Sequence, residues 1–209
     1  MPPSSGPASA SRPASFERAM VILIKDEITD VTKESIRRRL EKAKSDKTPL
    51  VVIELDTPGG ALGATLDICD MIKELRDEGV SVYAWINKQA YSAGTIIALA
   101  TDGIVMARNA TMGDCQPILV TGLEVGAVPE DINAKLTSPL LAELRDSARR
   151  NGYNLNMVFS LIRPEMQMFW VENVETGERR FVETHERDIL FQLPEAEEPQ
   201  TGAKSSDDK

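Results

Sequence analysis

Histidine and cysteine are scarce in this chain of 209 residues, and their scarcity excludes several kinds of site. His185 is the single histidine, which excludes mechanisms that need more than one imidazole. Cys69 and Cys115 are too few for a disulfide framework, and no Cys-x-x-Cys or His/Cys cluster with metal-ligand spacing is present. The sequence therefore predicts an activity with no metal and no cofactor.

Long apolar runs and positive charge are also lacking. No stretch approaches the roughly 20 apolar residues that span a bilayer, and residues 1–15 lack the apolar core of a secretory signal. The chain as written is therefore predicted to be soluble and without an export signal, and its localisation is left open. A formal net charge of -9 argues against nucleic-acid binding, which needs a basic face.

Composition divides the chain into one domain with two disordered ends. Residues 1–15 are rich in Pro, Ser and Ala, and residues 194–209 are acidic and polar, so neither end has enough apolar side chains to fold. Residues 16–193 alternate between strand-like and helix-like patterns. This length suits one well-buried domain.

The alternation predicts parallel β-α units with a hairpin after them. Short apolar runs predict strands at 19–24, 50–55, 80–86 and 103–107, and apolar residues at helical spacing predict helices at 32–43, 64–77, 93–100 and 136–150. Two more strands, 166–174 and 179–182, flank a Glu-Thr-Gly-Glu turn. The predicted fold class is therefore α/β: a parallel sheet flanked by helices, plus a C-terminal β-hairpin.

A Gly-Gly pair follows the second predicted strand, in Asp-Thr-Pro-Gly-Gly at residues 56–60. Gly59 and Gly60 permit positive φ and close backbone approach to a ligand. Their amides, near a helix N-terminus, could hold an anion or an oxyanion. A plain strand-to-helix turn has the same sequence features, so this segment alone decides little.

A serine follows the third predicted strand. Ser92 is followed by the small residues Ala93 and Gly94, which would let a substrate backbone approach the hydroxyl, and the dipole of the next helix favours negative charge there. An ordinary N-cap serine fits the same position. Because residues 56–60 and 88–95 follow neighbouring parallel strands, we expect both at one carboxyl edge of the sheet, where ligands of open α/β sheets bind.

A serine nucleophile needs a base, and the sequence offers two candidates. His185 lies in a charged, surface-like stretch near the tail. Lys135, the only lysine between Lys88 and the tail, precedes the last long predicted helix, and burial would allow it to be neutral. Lys135 is the better candidate, although a solvated lysine in a first helical turn has the same spacing.

Three segments together resemble the NfeD family of membrane-associated serine peptidases, relatives of ClpP and of signal peptide peptidase A. They are Leu-Asp-Thr-Pro-Gly-Gly at 55–60, Tyr-Ser-Ala-Gly-Thr at 91–95 and Met-Gly-Asp-Cys-Gln-Pro-Ile at 112–118. The resemblance covers residues 19–158 and implies a ClpP/crotonase-like β-β-α superhelix. Cys115 lies in the segment where ClpP has its catalytic histidine, so the sequence fits the Ser-Lys branch.

The resemblance also implies roles for residues and partners. Ser92 would be the nucleophile and Lys135 the base, while amides at Gly59, Gly60 and Ala93 would bind the oxyanion and substrate. The substrate would be a peptide or protein of hydrophobic character, and the partner in the family is often a stomatin-like membrane protein. A membrane-associated or extracytoplasmic location and a homo-oligomer, dimer or larger, are further expectations.

Three other interpretations stay open. A non-catalytic scaffold would keep the fold and bind a membrane partner. A crotonase-type enzyme acting on a coenzyme A thioester would use the same oxyanion turns, and it would need catalytic carboxylates and basic residues for the nucleotide phosphates. The third is a redox role for Cys69 and Cys115, although Cys69 lies on the apolar face of a predicted helix, as a buried structural thiol would.

Overall fold

The chain forms two compact units, which divide between Glu165 and Met166. The computed structural model describes residues 15–117, 119–121, 124–126, 130–163 and 165–191. The predicted disordered ends therefore lie outside the described residues, apart from Ser15. One domain over residues 16–193 stays a prediction.

As far as residue 106 the first unit alternates strands and helices in the predicted order, and beyond it three short strands and one short helix were not predicted. Its strands are β1 (Met20–Ile28), β2 (Leu50–Gly60), β3 (Ser81–Tyr91), β4 (Gly103–Met106), β5 (Thr111–Gly113), β6 (Leu119–Thr121) and β7 (Glu124–Gly126). Its helices are α1 (Asp30–Ser45), α2 (Leu62–Asp77), α3 (Ala93–Ala100), α4 (Glu130–Asn151) and α5 (Leu155–Ser160). None of the helices in the described part of the chain has both the length and the apolarity to cross a membrane.

The first five strands form one parallel sheet in the order β1-β2-β3-β4, and β5 also pairs with β3. Helices α1, α2 and α3 pack on this sheet. Alternate strand residues are buried against them, as the period of a strand requires: Ile22, Ile24, Val51, Ile53, Leu55, Val82, Ala84 and Ile86. The predicted parallel sheet with flanking helices is confirmed.

Strands β2 and β3 run beyond their predicted ends, and this corrects the prediction of a turn at residues 56–60. Pairing with β1 continues to the end of β2 across an irregularity, so that Ile28 lies opposite Gly60. A second irregularity follows Leu55 where β2 pairs with β3. Backbone φ angles of 117° at Gly59 and 158° at Gly60 allow the strand to continue there, which a side-chain-bearing residue would rarely permit.

Helix α4 begins six residues before its predicted start. Lys135 therefore lies in the second turn of the helix and not at the junction between loop and helix. Arg149 and Arg150 in the last turn complement the helix dipole at the C-terminal end of α4.

The second unit contains the predicted hairpin and one helix. Strands β8 (Met168–Glu172) and β9 (Arg179–Glu183) pair antiparallel, and α6 (Thr184–Phe191) follows. The rings of Trp170 and Phe181 are 4.5 Å apart across the hairpin. Within this unit the Arg187 guanidinium lies 4.2 Å above the Phe169 ring. The hairpin prediction is confirmed.

Candidate active site

Ser92 lies between β3 and α3 in a backbone conformation that few serines adopt. Its φ is 50° and its ψ is -117°, and its side chain makes no capping hydrogen bond to α3. An N-cap serine has an extended backbone and accepts a hydrogen bond from the helix. Ser92 therefore occupies the N-cap position of α3 without capping the helix through its side chain, and its backbone forms a sharp, strained strand-to-helix turn of the kind that exposes a nucleophile.

Hydrogen bonds from the neighbouring strand hold this turn in place. The Ser92 amide donates to the Gly113 carbonyl at 2.9 Å. The buried Thr95 hydroxyl lies 2.5 Å from the Ala90 carbonyl and 3.1 Å from the Gly113 carbonyl, and it accepts from the Gly113 amide at 2.7 Å. These bonds join β5 to the start of α3, so the strained conformation of Ser92 is fixed by buried polar contacts.

Gly59 brings the end of β2 against Ser92. A Cβ atom added to Gly59 would lie 2.7 Å from the Ser92 Cβ and 3.2 Å from its Oγ. A Cβ added to Gly60 would lie 2.1 Å from the Ile28 carbonyl oxygen. Gly59 is therefore needed for the close approach of β2 to Ser92, and Gly60 for the close approach of β2 to β1.

The backbone amides near Ser92 differ in their availability. The Gly59 amide donates to the Thr57 hydroxyl at 3.1 Å, so in this structure it already has a partner. Ala93 opens α3, and the first amides of a helix have no carbonyl partner within the helix. Between these two predicted oxyanion residues, the Ala93 amide is thus better placed to bind an oxyanion in this conformation than the Gly59 amide.

Ser92 lines a cavity of about 610 Å³ together with all three predicted oxyanion residues. Its apolar lining comes from Pro58, Ala61, Leu62, Ile96, Pro117 and Leu140. Two carboxylates, Glu27 and Asp114, also line it, and both residues are exposed. No lysine, arginine or histidine is present among the described lining residues.

Lys135 is the predicted site residue that does not join the others. Its side chain is exposed on α4 and does not line the cavity, whereas Leu140 of the same helix does. The other candidate base, His185, is exposed on α6 of the second unit. The role of Lys135 stays a prediction.

The two thiols are buried and neither is in a disulfide. Burial raises the pKa of Cys115 to about 12, and it raises the pKa of Cys69 as well. Cys115 lies against the strand-to-helix turn at Ser92, with its Sγ 3.6 Å from the Ser92 carbonyl oxygen. A protonated, buried thiol is a poor nucleophile, so both environments disfavour a redox role.

Sequence reasoning did not find Leu140, Thr95 or Asp114 as parts of this site. Leu140 is one of several apolar residues of a helix, and nothing in its spacing separates it from core leucines. Asp114 has φ 53°, a conformation in which aspartate is enriched, but most aspartates in loops have negative φ, so the residue type alone did not predict it. Thr95 ends the Tyr-Ser-Ala-Gly-Thr segment at 91–95, and a hydroxyl in an otherwise apolar helix is the signal that could have indicated a buried hydrogen bond.

Comparison with known proteins gives one family match. The model of a family described as NfeD1b, N-terminal domain, matches residues 18–186. The membrane-bound protease PH1510 of Pyrococcus horikoshii is 31% identical over 170 residues, which are 81% of this chain and 37% of that protein. This chain therefore spans little more than a third of the length of that relative.

Two solved structures are similar in fold. Both are of the 1510-N membrane-bound stomatin-specific protease. A serine-to-alanine mutant has a TM-score of 0.62 and 28% identity and covers 72% of each chain. A lysine-to-alanine mutant in complex with a substrate peptide has a TM-score of 0.62 and 26% identity, covering 82% of this chain and 71% of that one.

Proposed function

We propose that this chain, which belongs to the family of NfeD1b N-terminal domains, is a serine peptidase with Ser92 as nucleophile and Lys135 as general base. The observation that carries the proposal is the strained Ser92 turn, with φ 50° and ψ -117°, at the wall of a cavity. The similar proteins described as proteases support the same activity. A strained residue costs about 1–3 kcal/mol, and such strain clusters at functional sites.

In the proposed reaction, the neutral Lys135 amine takes the Ser92 proton while Oγ attacks the carbonyl carbon of a peptide bond. Amides near Gly60 and Ala93 stabilise the tetrahedral oxyanion. The Lys135 ammonium then protonates the leaving amine, which departs and leaves an acyl-enzyme. Lys135 next deprotonates a water that attacks the ester, and the proton returns to Ser92 as the acid product leaves.

We propose a substrate with apolar residues beside the cleaved bond. Leu62, Ile96 and Leu140 give the cavity an apolar wall that suits such side chains. The similar solved structures are described as stomatin-specific, so a stomatin-like membrane protein is the natural partner to propose. A homo-oligomer stays a prediction.

The coenzyme A thioester alternative has one observation in its favour. Carboxylates at Glu27 and Asp114 line the cavity, as that chemistry needs, but the described lining contains no basic residue for nucleotide phosphates. The scaffold alternative has less support, because a binding surface has no use for a strained Ser92. An acyl-coenzyme A hydrolysis assay, run beside the peptide assay, shows which of the two enzymatic activities the chain has.

We expect the parent chain to cleave peptides from an apolar panel and Lys135→Ala to lower kcat by about 10²–10⁴-fold, the usual contribution of a general base. Mass spectrometry of the products measures both. Lys88→Ala is the matched control, since Lys88 is 74% exposed and pairs with Asp56 at 3.4 Å near the site. If Lys88→Ala lowers kcat and Lys135→Ala does not, the assignment of Lys135 as the base is wrong.

A further inference from the structure

Helix α4 changes its surroundings at Pro139. From Leu140 onward one side of the helix is buried, and Leu144 and Ser147 are fully inaccessible. Before that point, the described side chains of Lys135, Ser138 and Pro139 are exposed. The helix therefore has an anchored part from 140 to 151 and, before Pro139, an arm from 130 to 138 in which Lys135 and Ser138 are exposed and Thr137 is half-buried.

The anchored part is held by buried polar contacts as well as apolar ones. The ammonium of Lys73 on α2 lies 2.7 Å from one Glu143 carboxylate oxygen, and the Ser147 hydroxyl donates to the same carboxylate at 2.8 Å. At the end of the helix, the Asn151 amide donates to the carbonyls of Leu99 and Thr101, each at 2.9 Å. These contacts fix the rear of α4 to α2 and to the end of α3.

Pro139 weakens the helix at a position that bears directly on Lys135. In an α-helix the amide of residue 139 would donate to the carbonyl of residue 135, four residues earlier. Proline has no amide hydrogen, and its ring crowds that same carbonyl. The hydrogen bond that would join Lys135 to the anchored part of α4 is therefore missing, although α4 continues through Pro139.

Leu140 links this weak point to the active site. It is 1% exposed and lines the Ser92 cavity, whereas the exposed Lys135 side chain, five residues earlier, does not. A rotation of the arm about Pro139 would thus move Lys135 relative to Ser92 without disturbing the cavity wall. Sharp bends in helices occur mainly at proline, so α4 is expected to bend most easily at Pro139.

We propose that Pro139 is a positioning residue for Lys135: it lets the arm 130–138 bend about the anchored helix and bring the lysine amine to Ser92 when a peptide occupies the cavity. This rests on the proposed function, because it concerns the same serine and lysine. Closure would also remove Lys135 from solvent, and burial favours the neutral amine that a base requires.

The test compares two substitutions that both restore the amide hydrogen at position 139. Pro139→Ala strengthens the helix and is expected to lower kcat at least tenfold with KM changed less than threefold and the thermal midpoint unchanged or raised. Pro139→Gly keeps the helix weak, since glycine is a poor helix former, and is expected to retain kcat within threefold. Ser138→Ala, an exposed neighbour, is the control.

Hydrogen exchange of the amides in 130–138 gives a second measure that does not depend on activity. Exchange should slow in Pro139→Ala and stay near the parent rate in Pro139→Gly. Equal kcat in the parent and Pro139→Ala, with Lys135→Ala inactive, would overturn the positioning role alone. If Lys135→Ala also keeps the parent rate, it is the Ser-Lys assignment that fails.

Discussion

Ser92→Ala is expected to abolish peptide hydrolysis, with kcat lower by about 10⁶-fold, the scale seen when a serine peptidase loses its nucleophile. The reason is chemical, because the proposed hydrolysis proceeds through the Ser92 oxygen, and the nearby thiol of Cys115 is a poor substitute, since burial raises its pKa to about 12. Rates on an apolar peptide, with circular dichroism to show that the fold is kept, measure the effect.

Ser92→Gly separates the catalytic role from a structural one. Glycine adopts φ 50° and ψ -117° without the strain that alanine keeps, so Ser92→Gly should be more stable than Ser92→Ala by about 1 kcal/mol while equally inactive. Ser45→Ala, at an exposed serine of α1, should match the parent in rate and stability. Parent-like cleavage by Ser92→Ala would contradict the proposal.

A substitution that relieves backbone strain and removes activity is informative about the role of the residue. A strained residue that stabilised the fold would show the opposite result, since its loss would lower the free energy of unfolding. Proteins keep residues that are costly to stability mainly where activity needs them. The expected pattern at Ser92 is therefore equal loss of activity in both variants, with Ser92→Gly the more stable of the two because glycine relieves the backbone strain.

Periodicity predicted the sheet and its helices well because the core repeats a simple pattern. Helix α3 was predicted with its observed bounds, since eight apolar or small residues between two strands leave few alternatives. The extensions of β2 and β3 were missed because they depend on register. Residues 56–60 read locally as a turn, whereas pairing of Gly60 with Ile28 keeps them in the sheet.

The candidate site divides in the same way. Ser92, Gly59, Gly60 and Ala93 come together because each lies at or beside the end of a strand, and parallel strands end at one edge. The position of Lys135 depends instead on the course of α4. Contacts between residues far apart in sequence fix that course, such as the contact of Glu143 with Lys73. No local pattern reports those contacts.

Lys73→Met is expected to lower the free energy of unfolding by about 3–5 kcal/mol, the usual cost of leaving one partner of a buried ion pair alone. Lys73 and Glu143 are each only 7% exposed in their side chains, and their closest atoms are 2.7 Å apart. Asp146 also lies 2.7 Å from the Lys73 ammonium. Urea unfolding of the parent and the variant measures the loss.

The dependence of this loss on pH follows from two shifts. Burial would lower the pKa of Lys73, but hydrogen bonds to Asp146 and Glu143 outweigh it, so the pKa lies above its usual 10.5. The hydrogen bond from Lys73 holds the pKa of Asp146 below its usual 3.8. The stabilisation is thus complete between these usual values; it is lost as pH rises through the raised lysine pKa or falls through the lowered aspartate pKa.

Matched variants decide whether burial makes this pair important. Lys42→Met should cost under about 1 kcal/mol, because the Lys42–Asp46 pair has a similar 2.9 Å distance but side chains 67% and 40% exposed. The double variant Lys73→Met/Glu143→Met should recover most of the loss, since well-packed apolar residues often replace a buried pair at little cost. Equal losses in Lys42→Met and Lys73→Met would show that the buried ion pair does not anchor α4. In that case the rear of the helix that bears Lys135 would be held by Leu140, Leu144 and Ala148.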